Sequence, residues 1–470
     1  MNWIFLGLIT ISVLTAALTG TMPKLTEGTL ASAKSAVELA LGLIGQMTLW
    51  LGLVGVVREA GLLRSVANGL KPIMVRLFPE VPPDHPAMGA MIMNLAANVL
   101  GLGNAATPFG LKAMQELDKL NQRKGVSTNS MALFLAINTS GVAVLPLGVI
   151  ATRAALGSHD AAGIVIPTLI ATSCSTVFAV IACKLLERRP MFALEKYGPV
   201  TVDETKNKAP DAASLEKAEA MAAVAPKVEK WRSAVALSIV ALVVFGMMRQ
   251  TVIASGGCAA NDGAWLCLGA VSPAQTQGAF DITRGFLSDW LLPLLILSMV
   301  TVGFTRQVKI YETFIASAKE GFQTVMAIIP FLVGMLVAIG MFRASGALEA
   351  LVKALSPLLS PIGFPPEALP MALIRPLSGS GALGVMSDSI KAYGPDSFVG
   401  YLVSVLNGST ETTFYVLAVY YGAVQVKVLR HALLACLVAD FAGPLGAFLA
   451  CKLFFGTAPM VVTAATVAPK

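Results

Sequence analysis

The sequence predicts an all-α polytopic membrane protein. Three observations carry this expectation: charge is scarce, apolar runs are long, and the chain is internally duplicated. Of 470 residues, 56% are apolar and only 13% are charged, against about 25% charged in an average soluble domain. The charges are also uneven, because 17 of them fall within residues 187–232. This composition excludes an ordinary soluble enzyme, a disordered chain and a nucleic-acid binder. The net charge of +7 fits basic loops retained on the cytoplasmic side of a membrane.

Apolar runs lie near 3–20, 36–57, 131–152, 162–186, 233–251, 286–304, 322–342 and 432–456. Several reach the ~20 residues that cross a bilayer. Met1-Asn2-Trp3-Ile4 lacks the basic start of a cleaved signal peptide, so the first run is expected to be retained. Stretches 87–111, 369–390, 398–424 and part of 131–152 are apolar but interrupted by Gly, Pro, Asn or Ser. They predict broken or re-entrant helices, which membranes tolerate only where the break is buried or lines a cavity. Segments 60–77 and 346–360 carry charges at helical spacing and predict amphipathic helices at the interface.

The duplication is the most informative feature. At an offset of 285, Ser32-Ala33-Lys34 repeats as Ser317-Ala318-Lys319, and Arg58, Gly61, Leu63 and Pro72 meet Arg343, Gly346, Leu348 and Pro357. At an offset of 269 Asn138 meets Asn407, and at 268 Cys183-Lys184-Leu185 meets Cys451-Lys452-Leu453. The expected organisation is a first membrane unit at 1–188 and a charged cytoplasmic linker at 189–232. A linking transmembrane helix with an extracytoplasmic loop follows at 233–284, then a second membrane unit at 285–470. The linker mixes prolines and charges and is expected to be solvated and partly flexible. If each unit crosses an even number of times, the added helix makes the units inverted. Counting Lys and Arg in loops favours that reading, with 23 inside against 9 outside, over 21 against 11 for five crossings. Inverted repeats with broken helices at matching positions are a common transporter plan.

Polar side chains at membrane depth are costly, so their clusters point to function. In the first unit Asn94 and Asn98 share a helical face and lead into Gly101-Leu102-Gly103-Asn104, and Asn138 heads a second polar break. In the second unit Arg375 precedes Ser378 and Ser380, and Asn407-Gly408-Ser409-Thr410-Glu411 interrupts an apolar run. A guanidinium suits a carboxylate or phosphate, with Glu411, Asp388 and Asp440 as alternative protein partners. These three acids are the candidates for ion or proton coupling. The charges at membrane depth are thus expected to lie in the second unit alone. Cys258 and Cys267, in a Gly-rich polar loop, are the candidate disulfide, which would place that loop in an oxidising compartment. No spacing of His, Cys or acids suggests a metal site or a catalytic motif, and no cofactor is expected.

Two sets of motifs then carry a resemblance. Phe78-Pro79-Glu80-Val81-Pro82-Pro83-Asp84-His85-Pro86 and the stretch from Asn98 to Pro108 resemble the spore maturation protein A family. Arg375-Pro376-Leu377-Ser378, Tyr393-Gly394-Pro395-Asp396 and Gly408-Ser409-Thr410-Glu411-Thr412 resemble the spore maturation protein B family. The whole looks like a fusion of the two. The resemblance implies two nucleoside recognition, or Gate, units, shared with concentrative nucleoside transporters and the ferrous iron transporter. In the nucleoside transporters a Gly-Gln-Thr-Glu sequence at a hairpin tip contacts substrate; Gly408-Ser409-Thr410-Glu411 is similar, with Ser for Gln.

The expected function is secondary transport or export of a small polar solute, anionic or zwitterionic, with H+ or Na+ as the coupling cation. The alternative is a membrane scaffold of envelope or spore-type maturation. The expected setting is the bacterial cytoplasmic (inner) membrane, with the lipid bilayer as a partner and a homodimer as the commonest homo-oligomer.

Overall fold

The apolar runs fold as helices, and Gly, Pro and small polar residues end them. The computed structural model describes residues 2–101, 103–141, 144–198, 200, 228–254 and 290–455. In the first repeat these form α1 (Asn2–Thr19), α2 (Met22–Glu59), α3 (Leu62–Leu77), α4 (Pro86–Val99), α5 (Gly103–Leu120), α6 (Asn129–Thr139), α7 (Leu147–Ala155) and α8 (Val165–Leu186). The linking helix is α9 (Lys230–Ala254). The second repeat gives α10 (Leu291–Thr305), α11 (Ile310–Ala344), α12 (Ala347–Leu359), α13 (Leu369–Ile374), α14 (Gly379–Tyr393), α15 (Phe398–Ser409), α16 (Thr413–Ala423) and α17 (Ala432–Phe455). The order in the two repeats is the same: a long helix, an amphipathic one, a hairpin, a broken span and a closing helix. Four described helices are long and apolar enough to cross a membrane, namely Met22–Glu59, Val165–Leu186, Lys230–Ile253 and Ala432–Phe454. The pair Val333–Ala344 and Ala347–Ala354, bent by 71°, has the same apolar character and is a broken span or a re-entrant loop.

Two compact bodies divide the chain. The larger holds Met1–Met47, Ser65–Ala220 and Phe322–Lys470, and the smaller holds Thr48–Arg64 and Met221–Gly321. In the smaller body α2 and α11 pack through small residues. A Cβ at Gly55 would collide with Ser317, and one at Gly52 with the Phe314 ring. Arg58 joins Glu320 there at 3.3 Å. Within the larger body a Cβ at Gly340 would collide with Ser32, and one at Gly28 with Ala344. The pairs Gly55–Ser317 and Ser32–Gly340 are the same contact shifted by the repeat offset of 285. Close backbone approach at small residues is how membrane helices pack without a hydrophobic driving force between them.

The broken spans of the larger body run in opposite directions. Ser127, before α6, donates its N–H to Val428 O, after α16, at 3.0 Å. At mid-length the Glu411 N–H donates to Thr139 O at 2.8 Å. At the far end Arg153, on α7, donates to Pro395 O, before α15, at 2.7 Å. Thus α6–α7 starts where α15–α16 ends, and the two cross at their breaks. Likewise α8 and α17 are antiparallel: Ser175 Oγ donates to Ala439 O at 3.0 Å, and Gly446 abuts Ala171 and Cys174. Equivalent elements that face each other antiparallel are the geometry of an inverted repeat.

Two expectations change. The run at 36–57 is the second half of a 38-residue helix. Lys34, just before that run, lies within the helix, 3.8 Å from Glu38 one turn on. The charged linker is not solvated from its start either. Residues 190–196 form short 3₁₀ turns. Arg123 holds the Leu194 and Tyr197 carbonyls at 2.7 Å, and Arg430 Nε holds Phe192 O at 2.8 Å. Residues 201–227, Cys258 and Cys267 lie outside the described residues.

Candidate functional site

Each repeat contributes two helix breaks: between α4 and α5 and between α6 and α7 in the first, at 375–378 and 410–412 in the second. The turn at each of the first two needs φ > 0, supplied by Gly101 at +70° and Gly141 at +65°, a region other residues enter at a cost. Gly141 has a second reason to be glycine, because a Cβ there would lie 3.0 Å from the Thr410 carbonyl carbon. All four breaks border one cavity of about 310 Å³. Gly101, Gly141, Pro146, Gly148 and Thr152 line it from the first repeat, and Arg375, Gly379, Asn407, Gly408 and Glu411 from the second.

Two helices begin at this cavity. The α14 N-terminus is capped by Ser378, whose Oγ accepts the Gly381 N–H at 2.9 Å. The α7 N-terminus, at Pro146, has no side-chain cap. Helix N-termini carry partial positive charge and free N–H groups. The cavity therefore favours negative charge at two places besides Arg375.

Arg375 is buried, with 9% of its surface exposed. Its contacts are long: Nη2 lies 3.6 Å from Glu411 Oε2, and Nη1 lies 3.4 Å from Thr412 Oγ1. Its Nε is buried without a partner. Charge-assisted hydrogen bonds normally span ~2.7–2.9 Å, so this guanidinium is under-occupied. The Glu411 side chain is 52% exposed. One residue beyond Thr412, Thr413 Oγ1 donates to Asp440 Oδ1 at 2.8 Å.

The structure sorts the remaining candidates. Asn407 lines the cavity beside Arg375 and Glu411. Asn94, Asn98 and Asn138 form a network with Tyr420 and are not among the residues lining the cavity. Asn98 donates to Asn138 Oδ1 at 2.9 Å, and Asn94 donates to Ala106 O at 2.7 Å and Tyr420 Oη at 3.2 Å. The Asn104 side chain lies outside the described residues. Ser380 lies 3.4 Å from the capping Ser378 hydroxyl. Ser409 donates to Leu406 O at 2.9 Å, and Thr410 is buried against Gly443. Asp388 joins Arg343 at 2.6 Å, so Arg375 takes Glu411 as its carboxylate partner.

Sequence reasoning does not single out Arg153, which is fully buried in the first repeat at the end of the crossed spans. Its Nη1 donates to Pro395 O at 2.7 Å and Ser404 Oγ at 3.3 Å. Its Nη2 donates to Ser158 Oγ, Asp160 O and Asp396 Oδ1, each at 3.0 Å, and its guanidinium lies 4.1 Å from the Tyr401 ring centroid. A signal existed in the sequence: Arg153 is the sole Lys or Arg between Lys124 and Lys184. Tyr420 and the hydroxyls of α8 were also missed. Thr172 donates to Ser140 O at 3.0 Å and so satisfies the first repeat's break.

Comparison with known proteins agrees with this architecture. The family model described as Gate, nucleoside recognition, matches residues 40–186 and 325–427. The chain belongs to the Gate family. The two matched segments fall in the two repeats and omit the linker and α9. Spore maturation protein B of Bacillus subtilis (strain 168) is 48% identical over 173 residues, which is 37% of this chain and 97% of that protein. Spore maturation protein A of the same organism is 41% identical over 181 residues, 38% of this chain and 92% of that protein. The chain carries counterparts of both, consistent with a fusion. No solved structure matches it.

Proposed function

We propose that this Gate-family membrane protein moves a small anionic or zwitterionic solute through the cavity where the four breaks converge. The observation that carries the reading is Arg375, a buried guanidinium with loose contacts and a free Nε at the cavity wall. Removing such a charge from water is costly unless partners satisfy it. A solute carboxylate or phosphate would complete its fork, and the α7 and α14 N-termini would share the negative charge. Glu411 would then face a solute amine or a coupling cation, and Asn407 would add hydrogen bonds. Crossed, broken spans of opposite direction suit alternating access about a central site. The proposed setting is a bacterial inner membrane.

The test is flux in reconstituted liposomes across a panel of small anionic and zwitterionic solutes. Arg375→Ala and Glu411→Gln should each lower flux of the transported solute roughly 10–100-fold, the scale of a lost charged hydrogen bond. Unchanged flux in both variants would remove the assignment. A second reading, a non-transporting scaffold of maturation, is favoured by the names of the two relatives. It predicts partner capture without flux.

A further inference from the structure

Asp440 lies inside α17 with 9% of its surface exposed. Its two oxygens differ. Oδ1 accepts the Thr413 hydroxyl at 2.8 Å, and Oδ2 is buried without a partner. A buried, unpaired carboxylate oxygen carries a desolvation cost that either a proton or a cation would relieve. A metal ion would need several oxygen ligands. Among the described residues no group of three or more acidic, His or Cys side chains gathers for one.

The groups facing Asp440 from the elements packed on α17 are few. From α16 comes Thr413. From the α13–α14 break comes Arg375, the cation close enough to act on it. From α17 itself comes Cys436, which Thr139 of α6 contacts and Cys183 of α8 faces. From α8 Ser175 donates to the neighbouring Ala439 carbonyl. From α15 Ser409 turns back to Leu406 O. Among the described residues Arg375 is thus the sole full positive charge bearing on this carboxyl. It reaches Asp440 across adjacent residues, Thr412 and Thr413, at the entry to α16.

We propose that Asp440 is the proton-binding group of this site and that its proton sets how Arg375 is engaged. Uptake adds one proton to Oδ2, converts the carboxylate to the neutral acid and removes one negative charge beside α16. Arg375 then has Glu411 as its nearby counter-charge and is open to a solute anion. Release restores the carboxylate, which competes with the anion for the same guanidinium. Solute binding and proton uptake are thereby coupled with the same sign. This deepens the anion-site reading and rests on it only for the identity of the solute.

The test needs no solute and no flux. Infrared difference spectra of the purified, full-length protein are recorded across a pH titration in H₂O and D₂O. A carboxylic-acid carbonyl band should titrate in the parent protein, be absent in Asp440→Asn and shift in frequency in Asp440→Glu. Thr413→Val removes a donor to the ionised form, and Arg375→Ala removes a positive charge. Each should displace the band's midpoint from that of the parent protein. No titrating band sensitive to these variants would overturn the proposal. A carboxylate band that responds to Na+ instead would overturn it in favour of a cation site. If Asp440→Asn does not fold, an unmoved midpoint in Thr413→Val would overturn it alone.

Discussion

Two buried arginines show how one side chain serves two ends. Arg153 closes the far end of the crossed spans with five hydrogen bonds between 2.7 and 3.3 Å and an aromatic face. Arg375, at the crossing, has two contacts at 3.4 and 3.6 Å, and the Nε of both arginines is buried without a partner. The first is a clasp tying the end of one span to the start of its inverted partner. The second is held under-occupied at a cavity. A buried charge is therefore not by itself a site; what separates the two cases is how closely the protein holds the two Nη groups.

The largest effect should fall on the clasp. Arg153→Met leaves the carbonyls of Pro395 and Asp160 without this donor, while exposed Asp396 keeps Ser158 and His159. It should cost about 2–4 kcal/mol, the scale of two unpaired carbonyls, read by thermal unfolding in detergent. Arg375→Met should leave stability near the parent while abolishing anion dependence. If the two variants lost equal stability, the contrast would fail. Arg430 clasps the other end, reaching Ser127 O at 2.8 Å and Phe192 O, and no acid lies among its bonds. Arg430→Met should cost about 1–3 kcal/mol, the range for unpaired carbonyls, in the same melt.

Next comes the backbone at the crossing. Gly141→Ala meets the Thr410 backbone at 3.0 Å and must hold φ at +65°, so it should lose about 1–3 kcal/mol. Gly148→Ala meets nothing within 4 Å and has ordinary φ, so it should change the melt little and serves as the control.

The smallest effects are those of pH. Burial alone would raise the Asp396 carboxyl, but the Ser158 hydroxyl, the His159 N–H and the Arg153 charge together hold it below its ordinary value of 3.8. Its contribution is complete above that value and is lost as pH falls through the lower folded-state value. Asp396→Asn should remove this acid limb from the melting profile. His431, buried in the α16–α17 turn, is pushed down to about 4 by burial and by the Arg430 and Lys184 charges. Between its ordinary 6.5 and about 4, the unfolded chain binds a proton that the folded one does not. Stability should fall as pH drops across that window, and His431→Phe should flatten the fall.

Much of this architecture is legible in the chain. The offset of 285 marks the two repeats and makes Ser32 the counterpart of Ser317, although that each meets a glycine of the other repeat shows only in the structure. Glycine, proline and polar side chains inside apolar runs mark all four breaks. Sequence reasoning does not show which polar groups meet. Asn94 and Asn98 share a face with the first break, yet their partners are Tyr420 and Asn138, up to 326 residues away. Asp388 looks as available to Arg375 as Glu411 does until α11 brings Arg343 to it. Arg153 was hidden for the same reason, because its meaning depends on the 395–396 loop that the second repeat folds against it.

The central claim is that the converging breaks enclose a cavity open to water and selective for negative charge. Thiol-reagent access at Asn407→Cys, in a background with the six native cysteines replaced, tests it most directly. The account predicts that an anionic reagent labels this position faster than a cationic one of equal size, and that Arg375→Ala abolishes or reverses the preference. No labelling by either reagent, or equal labelling that ignores Arg375, would contradict it.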